Sequence, residues 1–418
     1  MSNLIFKPSP DLPPPANTIG LVGWLRTNLF STWYNIVLTL FASYLLFLLG
    51  AFTFDWAIFS ADWTGTTSAD CSRDGACWPF VSVRIDQFVY GFYTPEEIWR
   101  VDLVFILAGA SVLALALEEL SLIRWMYYCG YTVAAMVVAW LLGMAVPAIS
   151  GIANLVIFIG IITGGGLVLN RIPDKRIVGV WSILILPVVC YFLLYGGSFG
   201  LEVVETHKWG GLMLTLVVAT VGIVAALPIG ILLALGRRAE MPIIRSICTV
   251  FIEFWRGVPL ITVLFMASVM LPLFASGETD FDKLLRAMIG IVLFQSAYMA
   301  EVVRGGLQAI PKGQYEAADA LGLSYWKSMM LIVLPQALKI MIPGIVNTFI
   351  ALFKDTTLLL IIGLLDLLAI VQAALNDPEW LGFSVEGYIF VAAVFWVFCF
   401  GMSRYSQYLE RKLHTGHR

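Results

Sequence analysis

The sequence predicts an all-α integral membrane protein with about ten transmembrane helices. Of its 418 residues, 60% are hydrophobic and only 13% are charged, whereas soluble domains carry about 25% charged residues. Stretches such as Leu103–Leu117 and Leu212–Leu235 are apolar on both faces, and a span requires about 20 largely apolar residues. The net charge of −3 provides no broad basic surface, so we expect no nucleic-acid partner.

Each predicted span is an apolar window of about 19 residues. The predicted spans are Trp33–Phe54, Val101–Leu117, Gly130–Pro147, Ile152–Leu169, Ile177–Tyr195, Leu212–Leu235, Val258–Ala275, Leu284–Leu307, Met341–Leu364 and Tyr388–Met402. The first is too long for a removable signal peptide and lacks a small-residue cleavage site, so we expect it to stay in the membrane.

The lysines and arginines predict the orientation of these helices, because cytoplasmic loops hold an excess of both. One side of the membrane receives both terminal segments and most basic residues, namely Lys7, Arg26, Arg124, Arg171, Lys175, Arg176, Arg237, Arg238, Arg245, Arg256, Arg304, Lys312, Lys327, Arg404, Arg411, Lys412 and Arg418. The other side receives Arg73, Arg84, Arg100, Lys208, Lys283 and Arg286. Both termini are therefore predicted to be cytoplasmic.

The long first loop, residues 55–100, is predicted to be extracytoplasmic, and it is rich in acidic and aromatic residues. It contains Cys71 and Cys77, which five residues separate. Disulfides form in oxidising compartments, but this spacing permits a bond without requiring one. The other four cysteines fall in or beside spans, where we expect small core residues.

The clearest functional pattern lies between the eighth and ninth spans. Glu316–Gly322 reads EAADALG, and nine residues further on Ile332–Pro335 reads IVLP. The pattern predicts a short Ala-rich helix that ends at Gly322 with positive φ. A second amphipathic helix from Ser324 follows, and Pro335 is predicted to turn the chain into the next span. Two such helices would form a cytoplasmic docking knob; the alternative is a connector that lies on the membrane.

The order Glu-Ala-Ala, three residues, glycine, nine residues and Ile-x-Leu-Pro resembles the EAA loop of ABC-importer permeases. The segments Phe254–Leu260, Ala297–Gly306 and Lys354–Leu358 resemble signatures of the polar and general L-amino-acid permeases. Three positions depart from that family, which commonly has Thr, Gln and Ser where this chain has Val258, Val263 and Thr357.

The resemblance implies a domain organisation. Residues 1–32 form a cytoplasmic tail, and residues 33–200 form a five-span extension with the extracytoplasmic loop 55–100. Residues 201–411 form an ABC importer core of five spans with the EAA loop at 312–335, and residues 412–418 form a second tail.

The resemblance also implies the permease subunit of an ATP-driven importer of L-amino acids, with a broad polar range, in a bacterial inner membrane. No G-x-x-x-x-G-K-[ST] loop occurs in the sequence, so ATP and Mg²⁺ are expected on separate ATPase subunits. This chain is expected to hold no cofactor, metal or catalytic residue. A second homologous permease and an extracytoplasmic amino-acid-binding protein complete the implied partners. Glu316, Ala317, Ala318 and Gly322 would contact the ATPase, with Gly322 as the hinge.

Polar residues within the spans are candidates for the substrate path, because such groups are costly when they face lipid. Gln295, Tyr298 and Glu301 recur at intervals of three and so share one helix face. Lining the path is the favoured role of Gln295, which lies near the membrane midplane. Glu301 could bind the substrate ammonium group, or it could pair with Arg304 one turn away.

Two residues of the ninth span complete the candidate path. Lys354 could bind the substrate carboxylate, and Thr357 lies one turn further on. The alternative for Lys354 is a structural ion pair with Asp355.

Two other classes of membrane protein compete with the importer. An ion-gradient-driven secondary transporter is the main alternative, but such proteins usually show repeated halves, and the halves of this chain differ. An integral-membrane enzyme would need clustered His, Cys or carboxylate groups, and the sequence has only three histidines.

Overall fold

The structure is a computed structural model that describes residues 20–116, 186–197, 201–274 and 282–413. Secondary structure in these ranges is helical, apart from isolated β-bridges. The all-α class is therefore confirmed. The predicted spans Gly130–Pro147 and Ile152–Leu169 lie outside the described residues.

Residues up to Ser82 belong to a first compact unit. Its helices are α1 (Gly20–Asn28) and α2 (Trp33–Phe54), and α2 continues as a π-helical turn to Phe59. No residue of α2 is buried. A helix that is apolar on all faces and yet unburied is suited to a lipid environment.

The second unit begins at Val83 and runs to the C-terminus. Its first helices are α3 (Pro79–Tyr90, which starts in the first unit), α4 (Ile98–Ala116) and α5 (Leu186–Tyr195). The next are α6 (Gly211–Arg237), α7 (Pro242–Gly257), α8 (Leu260–Phe265), α9 (Leu271–Phe274) and α10 (Lys283–Ala309). The last are α11 (Lys312–Ala320), α12 (Tyr325–Ser328), α13 (Leu334–Ile340), α14 (Ile342–Asp355), α15 (Leu367–Ala374) and α16 (Ser384–Leu413).

Among the described residues, five helices are long and apolar enough to cross a membrane, or six if one bent pair counts as a span. These are Trp33–Phe59, Gly211–Arg237, Lys283–Ala309, Ile342–Ile362 and Ser384–Leu413. They coincide with the first, sixth, eighth, ninth and tenth predicted spans, and α16 extends well beyond the predicted end at Met402.

The seventh predicted span, Val258–Ala275, corresponds to α8, a π-helical turn from Met266 to Met270 and α9. The chain enters this region through α7 and bends by 100° before α8. The bend follows from Pro259, because proline lacks an N–H and drives the residue before it out of the helical region. Val258 accordingly has φ −106° and ψ 134°. A hydropathy window does not identify α7 as a span, because Arg245, Glu253 and Arg256 interrupt its apolar residues.

The ninth predicted span also changes character along its length. α14 ends at Asp355, and the chain continues as a 3-10 helix from Thr356 to Ile362. This tighter segment ends at Gly363, which has φ +70°.

Two hydrophobic clusters stack along α6 and α10. One contains Met213 and Leu214 of α6 with Ile291 of α10, together with residues of α4 and α5. The other contains Ala234 of α6 and Met299 of α10. The two helices approach closely at Gly230, where an added Cβ would lie only 2.7 Å from that of Met299. Small residues permit such packing in membranes. This helix pair is the frame on which the candidate site is built.

Candidate functional site

The first helix of the EAA loop ends as the sequence predicts. Gly322 has φ +69°, and its N–H donates to the Asp319 carbonyl at 2.9 Å. The Leu323 N–H donates to the Ala318 carbonyl at 3.2 Å. These two bonds form a Schellman motif, which favours glycine at the left-handed position.

The second helix of the EAA loop begins at Ser324 as predicted, with Ser324 as the N-cap, but it does not end at Pro335. α12, a π-helical turn from Met329 to Val333, and α13 follow one another without a break. Pro335 occupies the first turn of α13, directly after the π-helical turn. The prediction that Pro335 turns the chain into the next span is therefore wrong, and the chain turns at Met341 instead.

The EAA loop exposes an apolar surface. Its exposed large side chains are Leu321, Tyr325, Trp326, Met330 and Leu331. Glu316 and Ala317 are also exposed. Ala318, in contrast, is 0% exposed, so it packs inside this chain. The expectation that Ala318 faces the ATPase needs correction, because successive residues of a helix point about 100° apart.

Side chains tie the EAA loop to the ends of the long helices. The Arg238 guanidinium donates to the Tyr315 hydroxyl at 3.1 Å and lies 5.6 Å from the centre of its ring. The same hydroxyl donates to the carbonyl of Leu307 at 3.2 Å. Gln336 donates to Gln314 at 3.1 Å and so joins the two halves of the loop. These contacts connect α11 to the ends of α6 and α10.

Glu301 lies at the centre of an ionic cluster that links α6, α7 and α10. Its carboxylate accepts hydrogen bonds from Arg237 at 2.5 Å and from Arg304 at 2.6 Å, and Arg256 lies 3.8 Å away. Glu253 pairs with Arg237 at 2.8 Å on the outer side. The Glu301 side chain is 15% exposed. The ion pair with Arg304 is thus present, within a larger cluster of three arginines and two glutamates.

Gln295 and Tyr298 lie in different surroundings although they share a face of α10. Gln295 is buried, and its amide donates to the carbonyl of Thr348 at 2.8 Å, which joins α10 to α14. Tyr298 is partly exposed, with its ring 4.9 Å from Phe294 and 5.7 Å from the Arg256 guanidinium. The hydrogen bond gives Gln295 a structural role, and lining the path stays a prediction for both residues.

Lys354 and Thr357 line a cavity of about 500 Å³ that is open to the surface of the chain and is formed by residues of α14, α15, α16 and the 3-10 segment. The other residues of this cavity are apolar, aromatic or Cys399, namely Leu368, Tyr388, Val391, Ala392, Phe395, Trp396 and Cys399. A volume of this size lies in the range of small-molecule sites. No ion pair joins Lys354 to Asp355 among the described residues. The substrate role of Lys354 stays a prediction.

A buried carboxylate begins α15, outside the spans. Asp366 is 0% exposed, and its Oδ1 accepts the N–H of Ala369 at 3.0 Å as the N-cap. Burial raises the pKa of Asp366 to about 6, against an opposing contribution from the N–H groups of Ala369 and Leu368. The sequence offered a signal for this helix, since an aspartate before an apolar run is a common N-terminus.

Asp366→Asn is expected to stabilise the protein above pH 7. Because the pKa of Asp366 is higher in the folded than in the unfolded protein, its protonation stabilises the fold when the pH is below the unfolded pKa. This contribution to stability is lost as the pH rises through about 6. The ionised carboxylate then costs about 3 kcal/mol, whereas asparagine keeps a cap acceptor. Thermal melts followed by tryptophan fluorescence from pH 4 to pH 8 should show that the stabilities of wild type and Asp366→Asn become equal at the acidic end. An Asn variant less stable than wild type at pH 8 would contradict this.

Cys71 and Cys77 are bonded to each other as a disulfide, with their Cα atoms 5.7 Å apart. Asp62 lies beside this bond, because its backbone pairs with Cys77 and its carboxylate accepts from both the N–H and the hydroxyl of Ser72. The two cysteines therefore close a short, hydrogen-bonded loop. The structure describes no group of three or more metal-ligating side chains within its described ranges.

Sequence reasoning does not find Arg237, Arg256 or Glu253 as partners of Glu301. A pattern along one helix detects neighbours three or four residues apart, which is how Arg304 is found, whereas Arg237 is 64 residues from Glu301 in the chain. The positive-inside count places Arg237 and Arg256 on the same side as Arg304 and says nothing of their partners.

Comparisons with known proteins agree with this arrangement. The family described as "binding-protein-dependent transport system inner membrane component" matches residues 226–415. The inner membrane amino-acid ABC transporter permease protein YhdY of Escherichia coli (strain K12) is 48% identical over 97% of both chains.

Of two further relatives, one matches nearly the whole chain and the other about half of it. The glutamate/glutamine/aspartate/asparagine transport system permease protein BztC of Rhodobacter capsulatus is 41% identical over 97% of this chain and 96% of its own. The glutamate/aspartate import permease protein GltK of Escherichia coli O157:H7 is 32% identical over 48% of this chain and 91% of its own. High identity over nearly the whole length, together with the EAA loop, shows that this chain belongs to the family of amino-acid ABC transporter permeases.

Proposed function

We propose that this chain is the membrane permease subunit of an ATP-driven importer of L-amino acids with a broad, polar range. The observation that carries the proposal is the EAA loop, a two-helix unit with an exposed apolar surface fixed to α6 and α10. A gradient-driven transporter has no use for such a loop. The relatives described above are named as transport permeases for amino acids, which supports the substrate class and gives the gradient-driven alternative no support.

The ATPase is proposed to be a separate subunit that binds ATP and Mg²⁺, since this sequence contains no phosphate-binding loop of the G-x-x-x-x-G-K-[ST] type. Its contact would be the exposed side of the EAA loop, including Glu316, Ala317 and the apolar surface from Leu321 to Leu331. A second homologous permease subunit and an extracytoplasmic amino-acid-binding protein complete the proposed assembly.

The substrate route is proposed to pass the α10 face of Gln295, Tyr298 and Glu301 and the cavity of Lys354 and Thr357. A zwitterion needs an acceptor for its ammonium group and a cation for its carboxylate. Lys354 supplies a cation at about half the depth of the Ile342–Ile362 span. Contacts limited to the two backbone groups of the substrate would support a broad range of side chains.

Uptake by the assembled transporter tests this function directly. Proteoliposomes with the two permeases, the ATPase and the binding protein should accumulate labelled glutamate, glutamine and other polar L-amino acids only when ATP is enclosed with the ATPase. A matched preparation with a hydrolysis-defective ATPase serves as the control. Equal uptake in both preparations, or uptake driven by an ion gradient alone, would remove the proposal.

The proposed orientation has both termini in the cytoplasm of a cell with an inner membrane. Thr64→Cys, in an exposed part of the loop 55–100, should react with an impermeant thiol reagent in intact spheroplasts. Lys327→Cys, exposed on the EAA loop, should react only after lysis. The reverse pattern would invert the topology.

A further inference from the structure

The short helix α15 is held at its N-terminal end by α6. The Gly211 N–H donates to the Leu365 carbonyl at 2.9 Å. The Leu367 N–H donates to the Thr215 hydroxyl at 3.0 Å. One end of α15 is therefore fixed to a long helix of the C-terminal half.

The C-terminal end of α15 is held by α3, a helix of the N-terminal extension. A hydrogen-bonded turn continues α15 to Asp377, whose N–H donates to the Ala374 carbonyl at 3.2 Å. The Asp377 carboxylate forms an ion pair with Arg84 of α3, 293 residues away in the chain. Both side chains are about a quarter exposed. The turn makes any displacement of Asp377 a displacement of the end of α15.

α3 is itself fixed and can act as a support. Phe88 is buried with its ring 5.5 Å from that of Phe390 in α16. Gly91, at φ +69°, leaves no room for a side chain, since a Cβ there would lie 2.4 Å from the Cα of Gly210. The Phe92 N–H donates to the Lys208 carbonyl at 3.1 Å. These contacts, all on the C-terminal side of Arg84, fix the end of α3 that follows it.

α15 forms one wall of the cavity that contains Lys354. Leu368, in the first turn of α15, lines that cavity together with Lys354 and Thr357. Most of the other residues of α15 are buried, with Ile370 and Val371 both 0% exposed. Because α6 holds the N-terminal end of α15, displacing its C-terminal end would tilt this wall about the end that is held.

We propose that Arg84 and Asp377 are positioning residues through which the N-terminal extension holds α15 as the extracytoplasmic wall of the Lys354 cavity. The ion pair limits how far the cavity can widen. This role gives the extension a part in transport, and it rests on the proposed function only insofar as the cavity belongs to the substrate route.

Cys399 reports on this role without any engineered thiol. It is a free cysteine that lines the cavity, whereas Cys248 lies in α7, away from the cavity. The full transporter in lipid nanodiscs is treated with a hydrophilic maleimide, and alkylation of both cysteines is followed by peptide mass spectrometry. Arg84→Asp and Asp377→Arg should each speed alkylation of Cys399 by about threefold, the range of one partly exposed ion pair. Cys248 should react at the wild-type rate.

The charge-swapped double variant, Arg84→Asp with Asp377→Arg, should return the alkylation rate of Cys399 to that of wild type. Recovery of the ATPase in pull-downs should be unchanged in all three variants, while uptake should require more binding protein for half-maximal rate in the single variants only. Unchanged alkylation in the single variants, or no rescue in the double variant, would overturn the proposal. Alkylation requires no transport. A wild-type complex that fails to import amino acids would therefore remove the proposed function, while the alkylation rates of the variants could still be compared.

Discussion

Gly322→Asp is expected to abolish amino-acid uptake while the chain still inserts and still pairs with the second permease. The left-handed backbone at φ +69° strains a residue with a Cβ by about 1–2 kcal/mol. A Cβ at this position would meet nothing within 4 Å, so the substitution causes no clash inside the chain. It adds a charge to the apolar surface of the EAA loop, and desolvating that charge against the ATPase carries a further cost. Recovery of the ATPase in pull-downs should fall by at least about tenfold, the effect of 1.4 kcal/mol.

Gly382→Asp is the matched control for this experiment. Gly382 also has positive φ, at +103°, and a Cβ there also meets nothing within 4 Å. It lies between α15 and α16, at the opposite end of the helices from the EAA loop. The control should retain both the ATPase and uptake. Normal ATPase recovery and normal uptake with Gly322→Asp would remove the EAA loop as the basis of the proposed function.

Glu301→Gln is expected to lower the free energy of unfolding by about 2 kcal/mol. Removing one partner of a buried ion pair typically costs about 3–5 kcal/mol. The three arginines are partly exposed here, which lowers the expected cost. Only Glu253 would remain to balance Arg237, Arg256 and Arg304. Thermal melts of the purified chain would measure the loss.

Glu253→Gln provides the comparison for Glu301→Gln. Glu253 contacts only Arg237 among the described residues and is 55% exposed, so its removal should change stability by less than about 0.5 kcal/mol. The same pair of variants decides the role of Glu301. Loss of uptake with an unchanged melting temperature would assign Glu301 to the substrate path, whereas a lower melting temperature assigns it to the ionic cluster.

The long helices and the Gly322 stop could be predicted from sequence because their signals are local. An apolar window defines α6 or α10, and a glycine after an Ala-rich segment defines the end of α11. The bend between α7 and α8 had a local signal in Pro259, but the apolar run on the far side of this proline dominates a hydropathy window. At Pro335, in contrast, a proline does not break the helical run, because the preceding π-helical turn accommodates it.

The candidate site depended on contacts that a linear pattern does not contain. The cluster around Glu301 is assembled from three helices, and the cavity around Lys354 is lined by residues of α14, α15 and α16 that lie far apart in the chain. The burial of Ala318 was equally inaccessible, because the helical face that meets the body of the protein is set by Tyr315 and Arg238. The candidate residues of the substrate path could be chosen by residue type and depth in the membrane, whereas their interaction partners are visible only in the tertiary structure.

The close approach of Gly91, Gly210 and Gly211 limits how this protein can be recombined with shorter relatives. A Cβ at Gly211 would lie 2.3 Å from the carbonyl oxygen of Phe88, so the start of α6 fits only a partner backbone shaped like the end of α3. A chimera that joins residues 1–200 to the C-terminal half of a different permease would bring any side chain at these positions against main-chain atoms. The two halves of this chain are consequently not interchangeable modules, and a graft must carry the residues from Phe88 to Phe92 together with Lys208 to Gly211.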